Sequence, residues 1–375
     1  MILRTPRRLA AAVVATALCA GLAACGDDEN TLTPTSNAGA SDTATDTATE
    51  TRLSGTVSGA GASSQAAAME AWIAAFTDQH SGVTINYEPT GSGAGREQFS
   101  AGAIRFAGSD APLQEDELTK AKSTCVDVIQ IPVYVSPIAI AFNLDGVEEL
   151  NLKAETVAKI FDQKITRWND AAIAADNPDV ELPDLEITPV NRSDESGTTE
   201  NFTEYLHAAA PDAWPHEPSG DWPVSGGEAA QGTSGVIGAI SAGEGTIGYA
   251  DASQAGELGQ VSVAVGEDFV GPSPEAAASI LGASERVADS GEFGFVYELD
   301  RATDEAGTYP VVLVSYALAC TKYGSQGDVD LVKAFLGYIL SEEGQKTAQE
   351  AAGSAPLSAE QRTEFSAAID AIGLK

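Results

Sequence analysis

Histidine and positive charge are scarce in this chain, and each scarcity removes a class of function. Of 375 residues only His80, His207 and His216 are histidines. None of them lies in an H-E-x-x-H pair, and no G-x-S-x-G elbow is present. A secreted hydrolase would therefore have serines in plenty and nothing to activate them, and each histidine reads as a helix-face or loop residue. The 20 Lys+Arg are set against 55 Asp+Glu, a formal net charge of −35 at pH 7. With no basic surface to displace counterions from phosphates, nucleic acid is excluded as a partner. No G-x-x-x-x-G-K-[ST] occurs, which removes a P-loop. The apolar run Leu9 to Ala20 falls short of the ~20 residues that a membrane span needs.

What the chain does have is glycine beside serine at the start of helix-like segments. The string Asn191-Arg192-Ser193-Asp194-Glu195-Ser196-Gly197-Thr198-Thr199 runs into Phe202, Leu206 and Ala209 at helical spacing, so Ser196, Gly197 and Thr198 fall in a first turn whose N–H groups lack intrahelical partners. Such donors suit an oxyanion. Arg192 adds a charged planar fork, and Asp194, two residues on, is placed to hold it in one orientation. By itself this is equally an ordinary N-capped helix after a surface turn. Two upstream segments repeat the design: Gly59-Ala60-Gly61-Ala62-Ser63-Ser64 and Thr90-Gly91-Ser92-Gly93-Ala94-Gly95. Met69, Trp72, Ile73 and Phe76 follow the first at i, i+3, i+4, i+7, and the alternating Val83 to Tyr87 precedes the second. The first segment lacks the third glycine of a dinucleotide fingerprint. Three helix N-termini converging on one anion is the expectation.

With Gly108-Ser109-Asp110-Ala111-Pro112-Leu113, these segments resemble, in order and spacing, the phosphate-binding proteins of ABC-type phosphate uptake systems. The R-x-D-x-S-G-T and S-D-A-P-L strings are the specific part. The resemblance runs from about Leu53 nearly to the C-terminus and takes in the glycine-rich stretch from Gly232 to Tyr249. It implies a phosphate site formed by Ser63, Ser64, Ser92, Asp110, Arg192, Asp194, Ser196, Gly197 and Thr198, with no catalytic residue, cofactor or metal. Two positions depart from the family pattern: Ser64 stands where Phe is usual, and Gly93 replaces a second serine. The chemical argument for phosphate turns on Asp110. A carboxylate repels a bare oxyanion, but phosphate near neutral pH keeps at least one proton to donate to it, whereas sulfate has none. An Asx turn before Pro112 accounts for the same aspartate. A sulfate or molybdate binder and a ligand-free surface adhesin stand as the other readings.

The N-terminus sets the compartment. Arg4, Arg7 and Arg8 precede the apolar run, and Leu22-Ala23-Ala24-Cys25-Gly26 follows it, a pattern similar to a bacterial lipobox. Residues 1–24 are thus expected as a signal peptide and Cys25 as the lipidated, palmitate-bearing residue that anchors the chain outside the cytoplasm. Residues 25–52, rich in Thr, Ser, Asp and Ala, read as a disordered acidic tether. Cys125 and Cys320 then remain in the folded body, and an even pair in an oxidising compartment suggests a disulfide, with two buried free thiols as the alternative. Strand-like runs alternating with amphipathic helices argue for an α/β protein. The resemblance implies a two-lobed, periplasmic-binding-protein-like fold of two α/β domains with a ligand cleft and hinge: residues 53–133 and 314–375 as lobe I, 134–313 as lobe II. The implied partners are inorganic phosphate and the transmembrane subunits of an ABC permease, the membrane is met through the lipid only, and the receptor is expected as a monomer.

Overall fold

The computed structural model describes residues 52–288 and 290–375. The expected signal peptide, Cys25 and the tether up to residue 51 lie outside the described residues. The architecture is organised around one strand, Val128–Phe142, which is buried at every position, as its continuous Val, Ile and Ala content requires of a strand covered on both faces. Up to Pro137 it pairs antiparallel with Val312–Cys320; from Ile138 onward it pairs antiparallel with Thr246–Asp251. Beyond Val312–Cys320 lie Phe106–Ser109, Gly55–Gly61 and Val83–Glu88, and beyond Thr246–Asp251 lie Thr188–Arg192 and Glu228–Ala230. Within each outer group neighbouring strands are parallel. One strand therefore carries two α/β halves.

Both prolines of that strand sit where a missing N–H costs little. Pro132 faces Tyr316, where the partner's register slips between Ser315 and Tyr316, and Pro137 stands at the last pairing before the change of neighbour.

In the first half, helix Ala66–Gln79 buries Ala68, Met69, Trp72 and Phe76, the face its sequence spacing marks. The C-terminal helices Gln326–Leu340 and Glu342–Ala352 return to cover it. Trp72 Nε1 donates to Gly344 O at 2.7 Å, and the Phe76 and Phe335 rings meet edge to face at 5.3 Å. A fully buried side chain of this size contributes about 1.5–3 kcal/mol, so the beginning and end of the chain share one core. Helix Ala359–Asp370 stops before Ile372, which the sequence pattern groups with Phe365 and Ile369, because Gly373–Leu374 leaves to pair with Lys322–Tyr323.

Cys125 and Cys320 are joined, closing a sequence separation of 195. For a loop that long the chain-entropy model assigns about 5 kcal/mol. In the second half, Phe202 stacks on Tyr249 at 4.4 Å, with Phe161 and Trp222 against the same pair. These rings brace helix Gly197–Ala209 against strand Thr246–Asp251. Among the described residues, no helix is long and apolar enough to cross a membrane.

Candidate anion-binding site

Strand Thr188–Arg192 delivers Arg192 to the junction of the two halves, where it is 4% exposed. Its Nε donates to Asp194 Oδ1 at 2.8 Å and its Nη2 to Asp194 Oδ2 at 2.5 Å, so Asp194 holds the fork as expected, and does so through two bonds. Of five guanidinium N–H groups two are thereby used, and the others donate to no protein group among the described residues. Burial alone would raise the Asp194 carboxyl, but the hydrogen bonds and charge of Arg192 outweigh it and hold the group below the usual carboxylate range. Asp194 Oδ1 also accepts from Gly232 N at 3.1 Å. Behind the arginine, its backbone N donates to the Tyr249 hydroxyl at 3.3 Å, which lies 2.8 Å from Thr199 Oγ1. Burial pushes the Tyr249 phenol up to about 12, so it keeps its proton at neutral pH.

The helix that follows begins as expected. Ser196 is its N-cap, accepting from Thr199 N at 3.3 Å through Oγ, so its own hydroxyl proton is free and the N–H groups of the first turn point outward. Two glycines let the halves approach here. Gly91, at φ +101°, passes over the arginine pair so closely that a Cβ would lie 2.6 Å from Asp194 Oδ2. At Gly197 a Cβ would lie 2.7 Å from Asp110 Cβ.

Asp110 is the centre of the site. It is 3% exposed, and its carboxylate accepts from hydroxyls of both halves: Ser64 at 2.7 and 2.8 Å, Thr198 at 2.8 Å and Ser315 at 2.6 Å. Its backbone N donates to Ser92 Oγ at 3.1 Å. An Asx turn is therefore not what this carboxylate does. Ser63 reaches across to the second half, accepting from Thr233 N at 3.0 Å and lying 3.0 Å from Thr233 Oγ1. Of the expected residues the structure thus brings Ser64, Ser92, Asp110 and Thr198 into one network. Arg192 and Asp194 lie against Gly91, Ser196 and Gly197 form the helix start, and Ser63 sits at the crossing to Thr233.

Several contributors escape a reading of the sequence. Thr233 lies in a glycine-rich stretch that marks it only in outline. Asn201 Nδ2 donates to Asp110 O at 2.7 Å and to Gly197 O at 2.8 Å, while its Oδ1 accepts from Arg301. Arg301 in turn donates to Val312 O at 2.9 Å and Glu204 Oε2 at 3.0 Å. Ser315 lies inside an apolar strand, Val312–Cys320, and carries no motif. None of these has a local signature.

At the rim, Arg96 ties the halves together. It donates to Glu117 Oε2 at 3.0 Å and Ser109 Oγ at 3.2 Å in its own half, and to Glu195 Oε1 of the other at 2.8 Å. A cavity of ≈ 730 Å³ opens beside it, lined among others by Gln114, Glu200 and Asp221. Burial raises the Glu200 carboxyl to about 7; Arg96 opposes the rise, and Glu204, Glu195 and Glu117 add to it. The histidines take no part: His207 Nδ1 meets His216 O at 3.0 Å, and His216 Nε2 meets Asp162 Oδ1 at 2.9 Å. His80 packs on Phe76.

Comparison with known proteins supplies the relatives of this arrangement. The PBP superfamily domain matches residues 46–343. Phosphate-binding protein PstS 3 of Mycobacterium tuberculosis (strain ATCC 25618 / H37Rv) is 36% identical over 364 residues, 94% of this chain and 95% of the relative. PstS 2 of the same strain is 32% identical over 316 residues, 82% of this chain and 85% of the relative. Among solved structures, a high affinity periplasmic phosphate-binding protein (PfluDING) bound with phosphate matches with a TM-score of 0.71 at 21% identity, covering 84% of this chain and 93% of that chain. That likeness establishes the fold, the two-lobed α/β architecture expected from the sequence.

Proposed function

The chain belongs to the phosphate-binding proteins of the PBP superfamily, and from that membership we propose that it captures inorganic phosphate between its two halves and passes it to an ABC importer, doing no chemistry itself. The observation that carries the reading is the pairing of an acceptor with donors. Asp110 has its carboxylate turned into the junction, while Arg192 and the first turn of helix Gly197–Ala209 supply positive charge and N–H groups. An anion that satisfies both must accept from the arginine and helix and donate to the carboxylate. Phosphate does so through its remaining proton; sulfate would set two acceptors face to face, at the cost of an unsatisfied buried group.

Ser63, Ser64, Ser92, Asp110, Arg192, Asp194, Ser196, Gly197 and Thr198 are the proposed ligand residues. The proposed lobes divide at 133/134 and 313/314, so that the ligand bridges them and closure about it is a hinge motion. Outside the described residues, cleavage before Cys25 and lipidation there would tether a monomeric receptor to the extracytoplasmic face of the membrane. Calorimetric titration of ligand-stripped protein at pH 7 tests the reading: tight one-to-one phosphate binding with sulfate silent is the expected result. Folded protein that binds neither, or binds both equally, would defeat it.

A further inference from the structure

We propose that Gln65 and Ser315 are positioning residues that fix Asp110 as a hydrogen-bond acceptor and so set the discrimination between protonated and unprotonated oxyanions. The inference rests on the phosphate reading above. Ser315 stands at the register slip of strand Val312–Cys320, between Ser315 and Tyr316, and Tyr316 pairs with Ser109 of the neighbouring strand. The position before Tyr316 on an antiparallel strand therefore faces the position after Ser109, which is Asp110. That regular register sets Ser315 Oγ 2.6 Å from Asp110 Oδ1, while the extra residue of the slip, Val133, lies in the strand on the other side.

A serine hydroxyl has one proton, and what decides where it points is the partner on its other side. That partner is Gln65, whose Nε2 donates to Ser315 Oγ. With a lone pair of Ser315 taken up by the amide, the Ser315 proton is left to Asp110. Gln65, Ser315 and Ser64 are all 0% exposed, so no solvent competes for these bonds. Ser64 donates between both carboxylate oxygens from the opposite side. With Ser64, Thr198 and Ser315 all donating to it, the Asp110 carboxylate stands in the junction as an acceptor, and a ligand that hydrogen-bonds to it has to bring the proton. The other ionisable groups nearby do not supply one. The Tyr87 phenol is pushed well up by burial and by the charge of Asp110 itself, and donates to Ala62 O; the side-chain bonds of Arg192 go to Asp194 and not to Asp110. Gln65 Oε1 has no hydrogen-bond partner among the described residues, so this side chain earns its buried place through its amide donor alone.

The test compares native protein with Ser315→Ala and Gln65→Met, titrated calorimetrically with sodium phosphate and with sodium sulfate between pH 5 and pH 8. Neither variant adds bulk or a buried charge, and thermal melts confirm folding. For Ser315→Ala the expected result is phosphate affinity lowered about tenfold at pH 7, the loss of one bond to a charged group. Sulfate, silent on the native protein, should become detectable, because a carboxylate released from Ser315 is free to turn aside from an unprotonated anion. Gln65→Met should move both readouts the same way by a smaller factor. A phosphate-to-sulfate ratio that stays native at every pH in both variants would overturn the inference. So would a loss of phosphate affinity with sulfate still silent, since that is what mere structural support would give. Native protein that takes up no phosphate would instead defeat the function proposed above, and this inference with it.

Discussion

Two buried arginines, Arg192 on the floor of the site and Arg96 at its rim, show what position does to the same side chain. Arg192 is held by Asp194, two residues away on its own loop. Its geometry is complete before the halves meet, and most of its fork is free. Arg96 spends its donors on Glu117 and Ser109 of its own half and on Glu195, 99 residues distant in the other. Part of its hydrogen bonding exists only when the halves are together. A local counter-ion preorganises a guanidinium; a remote one makes it a clamp. Both arginines are desolvated, where charge-assisted bonds count for more than they would on the surface.

The largest effect that would break this comparison is expected at the floor. Arg192→Ala should weaken phosphate binding by about three orders of magnitude, about 4 kcal/mol for two bonds to a charged group, and Arg192→Lys should restore little, since a point charge does not replace a planar fork. An alanine variant within tenfold of the native affinity would remove this arginine from the site. At the rim the effect should be smaller and of another kind. Arg96→Met should lower affinity about tenfold by speeding release, with the association rate nearly native, as stopped-flow measurement would reveal. A loss as deep as that of Arg192→Ala would make the two arginines equivalent and the contrast void.

The smallest effect sharpens the rim itself. Because burial, aided by Glu204, Glu195 and Glu117, raises Glu200 to about 7 from an ordinary 4.5, the folded protein binds more protons than the unfolded chain between those values. Stability therefore falls as pH rises through that window and levels off above it. Glu200→Gln should flatten this dependence in denaturant titrations, and Arg96→Met should extend it upward, since Arg96 opposes the rise. A native protein whose stability rises steadily from pH 4.5 to 7, with Glu200→Gln parallel to it, would deny Glu200 that role.

How much of this was legible in the sequence follows from distance along the chain. Arg192, Asp194 and the Ser196 cap lie within five residues, and their string suffices to place Asp194 as the holder of the Arg192 fork and to mark the helix start. Asp110 was legible as a residue but not as a choice between ligand and turn; that depended on Ser64, Thr198 and Ser315, which lie 46, 88 and 205 positions from it. Ser315 and Gln65 were hidden because each sits in a run that reads as plain strand or helix, and only the pairing of Val312–Cys320 with Phe106–Ser109 brings Ser315 to Asp110. Pro132 and Pro137 argue against a central strand unless their partners' register is known.

The place of Val312–Cys320 has a consequence for how the molecule is made. This strand lies between Phe106–Ser109 and Val128–Phe142, yet it leaves the ribosome long after both. Throughout synthesis of the entire second half, the first half waits with two unpaired strand edges, the arrangement most open to pairing with another chain. The second half can complete its own parallel strands meanwhile; the first cannot be sealed until residue 320 arrives and Cys125 finds its partner. A nascent chain arrested before that point would carry a finished second half on an open first half. Strand pairing between such arrested chains, relieved once the last 64 residues are supplied, is the form its misassembly should take.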